Sequence, residues 1–224
     1  MMFLLVLFSL LFLVLVAGVY YGRKWNRIDW GIPWLNCIDG LLRAFCVRYH
    51  RLQSSDCQLP KTGAALVASN HVSGLDPFLL IAASKRPLRF LMAVEEYQRF
   101  GLKWLFKAAG CVPVERESRP ELAMREAIRL LKKGEVVAIF PHGKIHLDTD
   151  PPRPLKKGVI RLAQLTSAPV VSARIDGITG QGTVVNAVIK RSHAVVKTFP
   201  LLLPPYNDTE ELAQSIERYI SREE

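Results

Sequence analysis

The chain opens on a long apolar stretch. From Phe3 to Tyr20 only Ser9 and Gly18 interrupt the aliphatic and aromatic residues. That is enough for a helix to cross a bilayer, which takes roughly 17–25 residues. The pattern then changes to helical spacing. Between Trp30 and Tyr49, the residues Ile32, Leu35, Ile38, Leu41, Leu42 and Phe45 recur so that they share one face. With Trp25, Trp30 and Trp34 suited to a headgroup interface, this predicts an amphipathic helix lying on, or dipping into, the same leaflet; the alternative is a helix packed on a domain core. A polar stretch at 53–62, containing Pro60, reads as a linker.

Beyond it, short apolar runs alternate with amphipathic segments. The runs predict strands at 64–68, 88–93, 110–116, 136–140, 168–175, 184–189 and 194–199. Helices are expected from Asp76 and Pro77 onward, at 95–109, 121–133 and 156–165, and at the C-terminus. Asp76 reads as a helix N-cap followed by Pro at the first turn. Ser118 with Glu121, and Asp208 with Glu211, read as capping boxes. The 95–109 segment is unusually greasy; its default reading is core, with a membrane contact or the wall of an acyl-chain channel as the alternatives. Buried strands alternating with helices predict an α/β fold: a mixed, mainly parallel sheet flanked by helices, preceded by an N-terminal membrane-anchoring helical segment. The organisation expected is a transmembrane anchor at 1–22, an amphipathic interfacial helix and linker at 23–58, and an α/β domain at 59–224.

Charge sharpens this picture. The 224 residues carry 30 Lys and Arg against 20 Asp and Glu, a formal +10. The basic residues are dispersed, with no Lys/Arg–aromatic interleaving on a nucleic-acid module, so an anionic membrane face suits them better than nucleic acid. No Lys or Arg precedes the apolar stretch, whereas Arg23, Lys24 and Arg27 follow it. The positive-inside rule then puts the domain on the cytoplasmic face of a single-pass anchor. Cys37, Cys46, Cys57 and Cys111 show no C-x-x-C spacing and are expected as free thiols on that side.

The candidate chemistry lies at strand ends. Asn70-His71-Val72-Ser73-Gly74-Leu75-Asp76 joins a predicted strand to a predicted helix. On one helix, positions five apart point about 140° away from each other. A loop through Gly74 instead lets His71 fold back onto Asp76. A carboxylate on one ring nitrogen fixes the tautomer and leaves the other nitrogen as a general base. Arg116 ends another strand, and Phe140-Pro141-His142-Gly143-Lys144 follows a third. His142, His146 and Asp148 are metal-ligand types at plausible spacing, but Pro141 and Gly143 oppose a helix that would put both histidines on one face, so no metal is expected.

Taken in order, Asn70-His71-x4-Asp76, Gly110-x5-Arg116, Phe140-Pro141-x-Gly143 and Ala168-Pro169-Val170-Val171 resemble the four blocks of the glycerolipid acyltransferases, and more narrowly the 1-acyl-glycerol-3-phosphate acyltransferases. The likeness runs from about Leu59 to Ile175. It implies that His71 is the base and Asp76 its orienting partner. It further implies that Asn70, Arg116, Phe140, Pro141, His142, Gly143 and Lys144 bind substrate, with Arg116 on the acceptor phosphate, and that Pro169 and Val170 support the acyl chain. The implied reaction moves a fatty acyl group from acyl-CoA or acyl carrier protein, as co-substrate and without a cofactor, to the hydroxyl of a lysophospholipid held among membrane phospholipids. Backbone N–H groups at Gly143 or near Pro77 are the expected oxyanion donors. The likeness has departures. Where the family reads Phe-Pro-Glu-Gly-Thr-Arg-Ser, this chain has His142, Lys144 and Ile145, and Val94 stands near a position where the family often has lysine. The acceptor therefore stays open between lysophosphatidate and another lyso-lipid, and a non-catalytic lipid-binding role is the remaining alternative.

Overall fold

The computed structural model describes residues 2–55, 58–115 and 118–221. Helix α1 (Met2–Trp25) is 24 residues long, so it extends about 36 Å. It is exposed along almost its whole length, and among the described residues it is the one helix long and apolar enough to cross a membrane. Helix α2 (Pro33–Arg48) packs on its C-terminal end through glycines. A side chain at Gly40 would collide with the Gly22 carbonyl, so the two backbones touch there.

Helix α2 also packs on the domain that follows. Arg43 reaches across to α3 (Asp76–Ala83) and donates to the carbonyls of Ile81, Ala82 and Ser84 at its C-terminal end. Asp39, one turn earlier, accepts from Trp30 Nε1 at 3.2 Å and Asn26 Nδ2 at 3.1 Å. Both charges are buried, and burial pushes the Asp39 carboxyl up against the opposing pull of Arg43.

The sheet has seven strands: β1 (Gln53–Ser54), β2 (Ala65–Ser69), β3 (Leu88–Ala93), β4 (Val112–Val114), β5 (Val136–Ile139), β6 (Val170–Asp176) and β7 (Val195–Thr198). Their spatial order is β1-β7-β6-β2-β5-β3-β4, with every pairing parallel except β6 with β7. The mixed, mainly parallel sheet expected from the sequence is the one observed. Side chains alternate between its faces. Ala65 and Val67 of β2 pack with α3, while Leu66 and Ala68 pack with α6 (Pro120–Lys132), α7 (Gly158–Thr166) and α9 (Thr209–Ile220). Strand β2 is central and buried on both faces, so its C-terminal end is a rigid platform.

Several local expectations are corrected. The 95–109 segment is not one helix but two short ones, α4 (Val94–Tyr97) and α5 (Lys103–Ala108), separated by Gly101 at φ +77. Only its C-terminal part joins a core, Leu105, Ala108 and Ala109 packing against Ile28, Trp30 and Leu35, whereas residues 98–104 are all exposed. The β-branched run at 184–189 is not a strand but helix α8 (Val185–Ile189). Thr183 Oγ1 accepts from Ala187 N, and Ala187 is buried against the sheet, so the run covers a face instead of extending an edge. Ser118 does not cap α6; its hydroxyl donates to Glu115 at 2.6 Å. Asp208 does cap α9, accepting from Glu210 N and Glu211 N. The polar 53–62 stretch contributes β1 at the sheet edge.

Candidate active site

The chain leaves β2 through Asn70, whose amide forms two hydrogen bonds with Ile175 of β6, donating to its carbonyl and accepting from its N–H, each at 2.8 Å. Asn70 is buried, so it fixes the loop's exit rather than facing a ligand. His71 follows. Its Nδ1 lies 2.8 Å from Asp76 Oδ2, as the Gly74 loop was expected to allow. Gly74 is required by a close approach and not by a left-handed backbone: a Cβ there would sit 2.6 Å from the Val184 carbonyl oxygen.

Asp76 is not the side-chain cap of its helix. Its Oδ2 accepts from His71, from Val72 N at 2.6 Å and from Ser73 N at 2.8 Å, and its Oδ1 accepts from Ser73 Oγ at 2.6 Å. The carboxylate turns back into the loop because four donors converge on it there. With Nδ1 donating to Asp76, Nε2 of His71 keeps its lone pair. The ring is held from one side by Phe140, stacked at 4.1 Å between centroids and 15° between planes, and Phe140 in turn neighbours Phe90 at 6.0 Å. His71 O accepts from His146 N at 2.7 Å, which ties the loop after β5 to the same spot.

His71 stands at the wall of a cavity of about 810 Å³. Its other walls are mainly apolar, with Ile38 and Leu42 of α2, Phe78 of α3, Phe90 of β3, Leu105 of α5 and Val188 of α8, and Asp39, Glu95, Glu96 and Arg99 add charged groups. Of the residues assigned to substrate, Phe140, Gly143 and Lys144 line it; Pro141 and His142 do not. Pro141 O accepts from Lys156 N. His142 turns toward α9, with Nε2 at 3.5 Å from Glu217 Oε1 and its ring 4.8 Å from that of His146. Burial pushes its imidazole below the ordinary value, with Glu217 opposing and His146 and Arg153 adding to the shift. Arg116 lies outside the described residues.

The expected oxyanion donors are otherwise engaged: Gly143 N donates to Phe140 O at 2.9 Å, and Phe78 N to Leu75 O at 3.0 Å. Of the candidate metal ligands, His142 and His146 lie side by side but Asp148 does not join them. Asp148 pairs with Arg174 at 2.7 Å and His146 faces Asp150, and among the described residues no three His, Cys, Asp or Glu side chains gather as metal ligands. The part of Ser73 as a donor to Asp76, Phe90 and the α2 wall are not visible in the sequence. Ser73 sits inside the motif; Phe90 and α2 come to the site only through tertiary packing.

A histidine–carboxylate pair thus stands at the end of a parallel strand of an α/β protein and opens on a mainly apolar cavity. Comparison with known proteins narrows this: the chain belongs to the Acyltransferase family, whose model matches residues 51–176. It is 30% identical over 120 residues to a 1-acyl-sn-glycerol-3-phosphate acyltransferase of Bacillus subtilis (strain 168), covering 53% of this chain and 59% of that protein. It is 29% identical over 127 residues to a probable 1-acyl-sn-glycerol-3-phosphate acyltransferase of Mycoplasma pneumoniae, covering 52% of this chain and 46% of that one. The chain thus spans about half the length of these relatives. Its fold matches the crystal structure of the 1-acyl-sn-glycerophosphate (LPA) acyltransferase PlsC from Thermotoga maritima, with a TM-score of 0.68 at 21% identity over 98% of this chain and 93% of the other.

Proposed function

We propose that the protein moves a fatty acyl group from an acyl thioester, acyl-CoA or acyl carrier protein, to the free hydroxyl of 1-acyl-glycerol-3-phosphate, at a membrane that α1 spans. The observation that carries this reading is the His71–Asp76 pair at 2.8 Å, placed on the wall of an apolar cavity large enough for an acyl chain. His71 Nε2 takes the acceptor's hydroxyl proton while the oxygen attacks the thioester carbonyl. Collapse of the tetrahedral intermediate breaks the C–S bond, and the imidazolium returns the proton to the departing thiolate. Asp76 holds the ring and stabilises its charged form.

Transfer is direct in this account. Burial pushes the Cys111 thiol up to about 11, which leaves little thiolate at neutral pH. The Ser73 hydroxyl donates to Asp76 rather than to the base, and Ser69 is buried against Asn70. Acyl label retained on denatured protein in the absence of acceptor would contradict this step.

Lys144 in the cavity lining and Arg116 are the cations assigned to the acceptor phosphate. Because Ile145 lines the cavity where the family's arginine would stand, another lyso-lipid, with a different headgroup, is the second reading. A panel of lyso-lipids assayed with both donor classes separates the two. Lysophosphatidate is expected to be the best acceptor, with Lys144→Ala and Arg116→Ala each raising its KM. Faster transfer to an uncharged or amino headgroup would favour the second reading, and absence of transfer to every acceptor would overturn both.

A further inference from the structure

The turn between α4 and α5 borders the cavity through Leu102 and turns other large apolar side chains outward. Residues 98–104 are all exposed, and within them Phe100 is 101% exposed, Trp104 57% and Leu102 37%. Three large apolar side chains on one short turn form a patch that water does not favour. Gly101, at φ +77, makes the turn that presents them.

The position of the patch identifies what it meets. Trp104 packs against Trp34 at the start of α2, with centroids 5.2 Å apart. Both line an open groove of about 770 Å³ whose other side is Val19 and Arg23 of α1. This is the level at which the apolar run of α1 gives way to Tyr20, Tyr21, Arg23 and Lys24. Aromatic and basic residues in that order mark the headgroup boundary of a spanning helix. Around the turn, Lys103 and Lys107 add positive charge, while Arg99 is paired with Glu96.

We infer that the α4–α5 turn is a second membrane contact, inserting Phe100, Leu102 and Trp104 at the headgroup level beside α1. The inference rests on the reading of α1 as membrane-spanning and adds a surface of the α/β domain itself. It has a consequence for substrate entry. Leu102 also lines the cavity that His71 faces, as do Leu105 and Phe106 of α5. The turn is therefore a wall with lipid on one side and the site on the other, so an acceptor embedded in the leaflet reaches His71 without crossing water.

The test places a fluorescent amino acid, dansylalanine, at Phe100 in the full chain reconstituted in phosphatidylcholine–phosphatidylglycerol vesicles. The same label at Leu10 of α1 reports the anchor. At Leu203, beside the end of β6 opposite the site, it reports water-exposed surface. Lipids brominated near the glycerol end of the chain should quench the Phe100 label, lipids brominated near the chain terminus the Leu10 label, and neither the Leu203 label. A quenched Leu10 label with a Phe100 label no more quenched than Leu203 overturns the inference and leaves the patch to a protein partner. An unquenched Leu10 label overturns the anchor reading instead, and the turn then stands or falls on the Phe100 label alone. As a second readout, F100S/W104S should slow transfer to a bilayer-embedded acceptor while sparing transfer to a monodisperse short-chain one; equal loss on both overturns the inference.

Discussion

At the residue scale, the account turns on how Asp76 is used. Its place in the sequence suits it both to cap the helix and to partner His71, and only the second is observed. The His71–Asp76 contact was legible from the motif only together with the blocks that follow it in the chain, since a His and an Asp five apart are by themselves more often unrelated. The convergence of Val72 N, Ser73 N and Ser73 Oγ on the same carboxylate was not legible, because backbone direction inside a loop does not follow from residue type. Asp76→Asn is expected to lower kcat on the order of 10²-fold or more, because an amide can donate to Nδ1 and stabilise the wrong tautomer. Steady-state transfer rates check this, with KM for the donor little changed. Ser73→Ala removes one of the four donors and should cost less than Asp76→Asn in the same assay.

Among the elements, α2 was the most ambiguous in the sequence, placed equally well on a membrane or on a domain core. It packs on both α1 and α3, and two charges on its buried side carry that junction. Asp39 and Arg43, spaced i,i+4 in an otherwise apolar helix, were the available signal that one face meets protein. Arg43→Ala strips the cation from a buried carboxylate and frees the carbonyl ends of α3, so a loss of about 3–5 kcal/mol is expected in denaturant unfolding. Gly40→Leu should push α1 off α2, whereas Gly18→Leu, with nothing within 4 Å, should leave stability unchanged. Thermal unfolding in detergent compares the two. The α4–α5 break and helix α8 were missed for a different reason. Greasy, β-branched segments give the same apolar signal as core strands and helices, and only their tertiary setting separates them.

Across the whole molecule, the parallel sheet gathers the ends of β2 and β5 at one edge, which is why motifs far apart in the chain form one site. Two buried histidines couple this assembly to pH. Burial pushes His50 and His142 below their ordinary value near 6.5. The unfolded chain therefore takes up protons first as pH falls through that value, while the folded chain does not. Their contribution to stability is complete above about pH 6.5 and is lost as the pH falls below it. Chemical denaturation at pH 8 and pH 5.5 should show this loss, and the H50Q/H142Q chain should show a shallower one. The central claim is that one imidazole, held by Asp76, removes the acceptor's proton. Its most direct test is transfer of labelled acyl groups to lysophosphatidate by the full chain and by His71→Ala, with folding of the variant checked by its thermal midpoint. The account predicts a folded variant slowed by about 10²–10⁴-fold; a folded variant that transfers at the rate of the unaltered chain would contradict it.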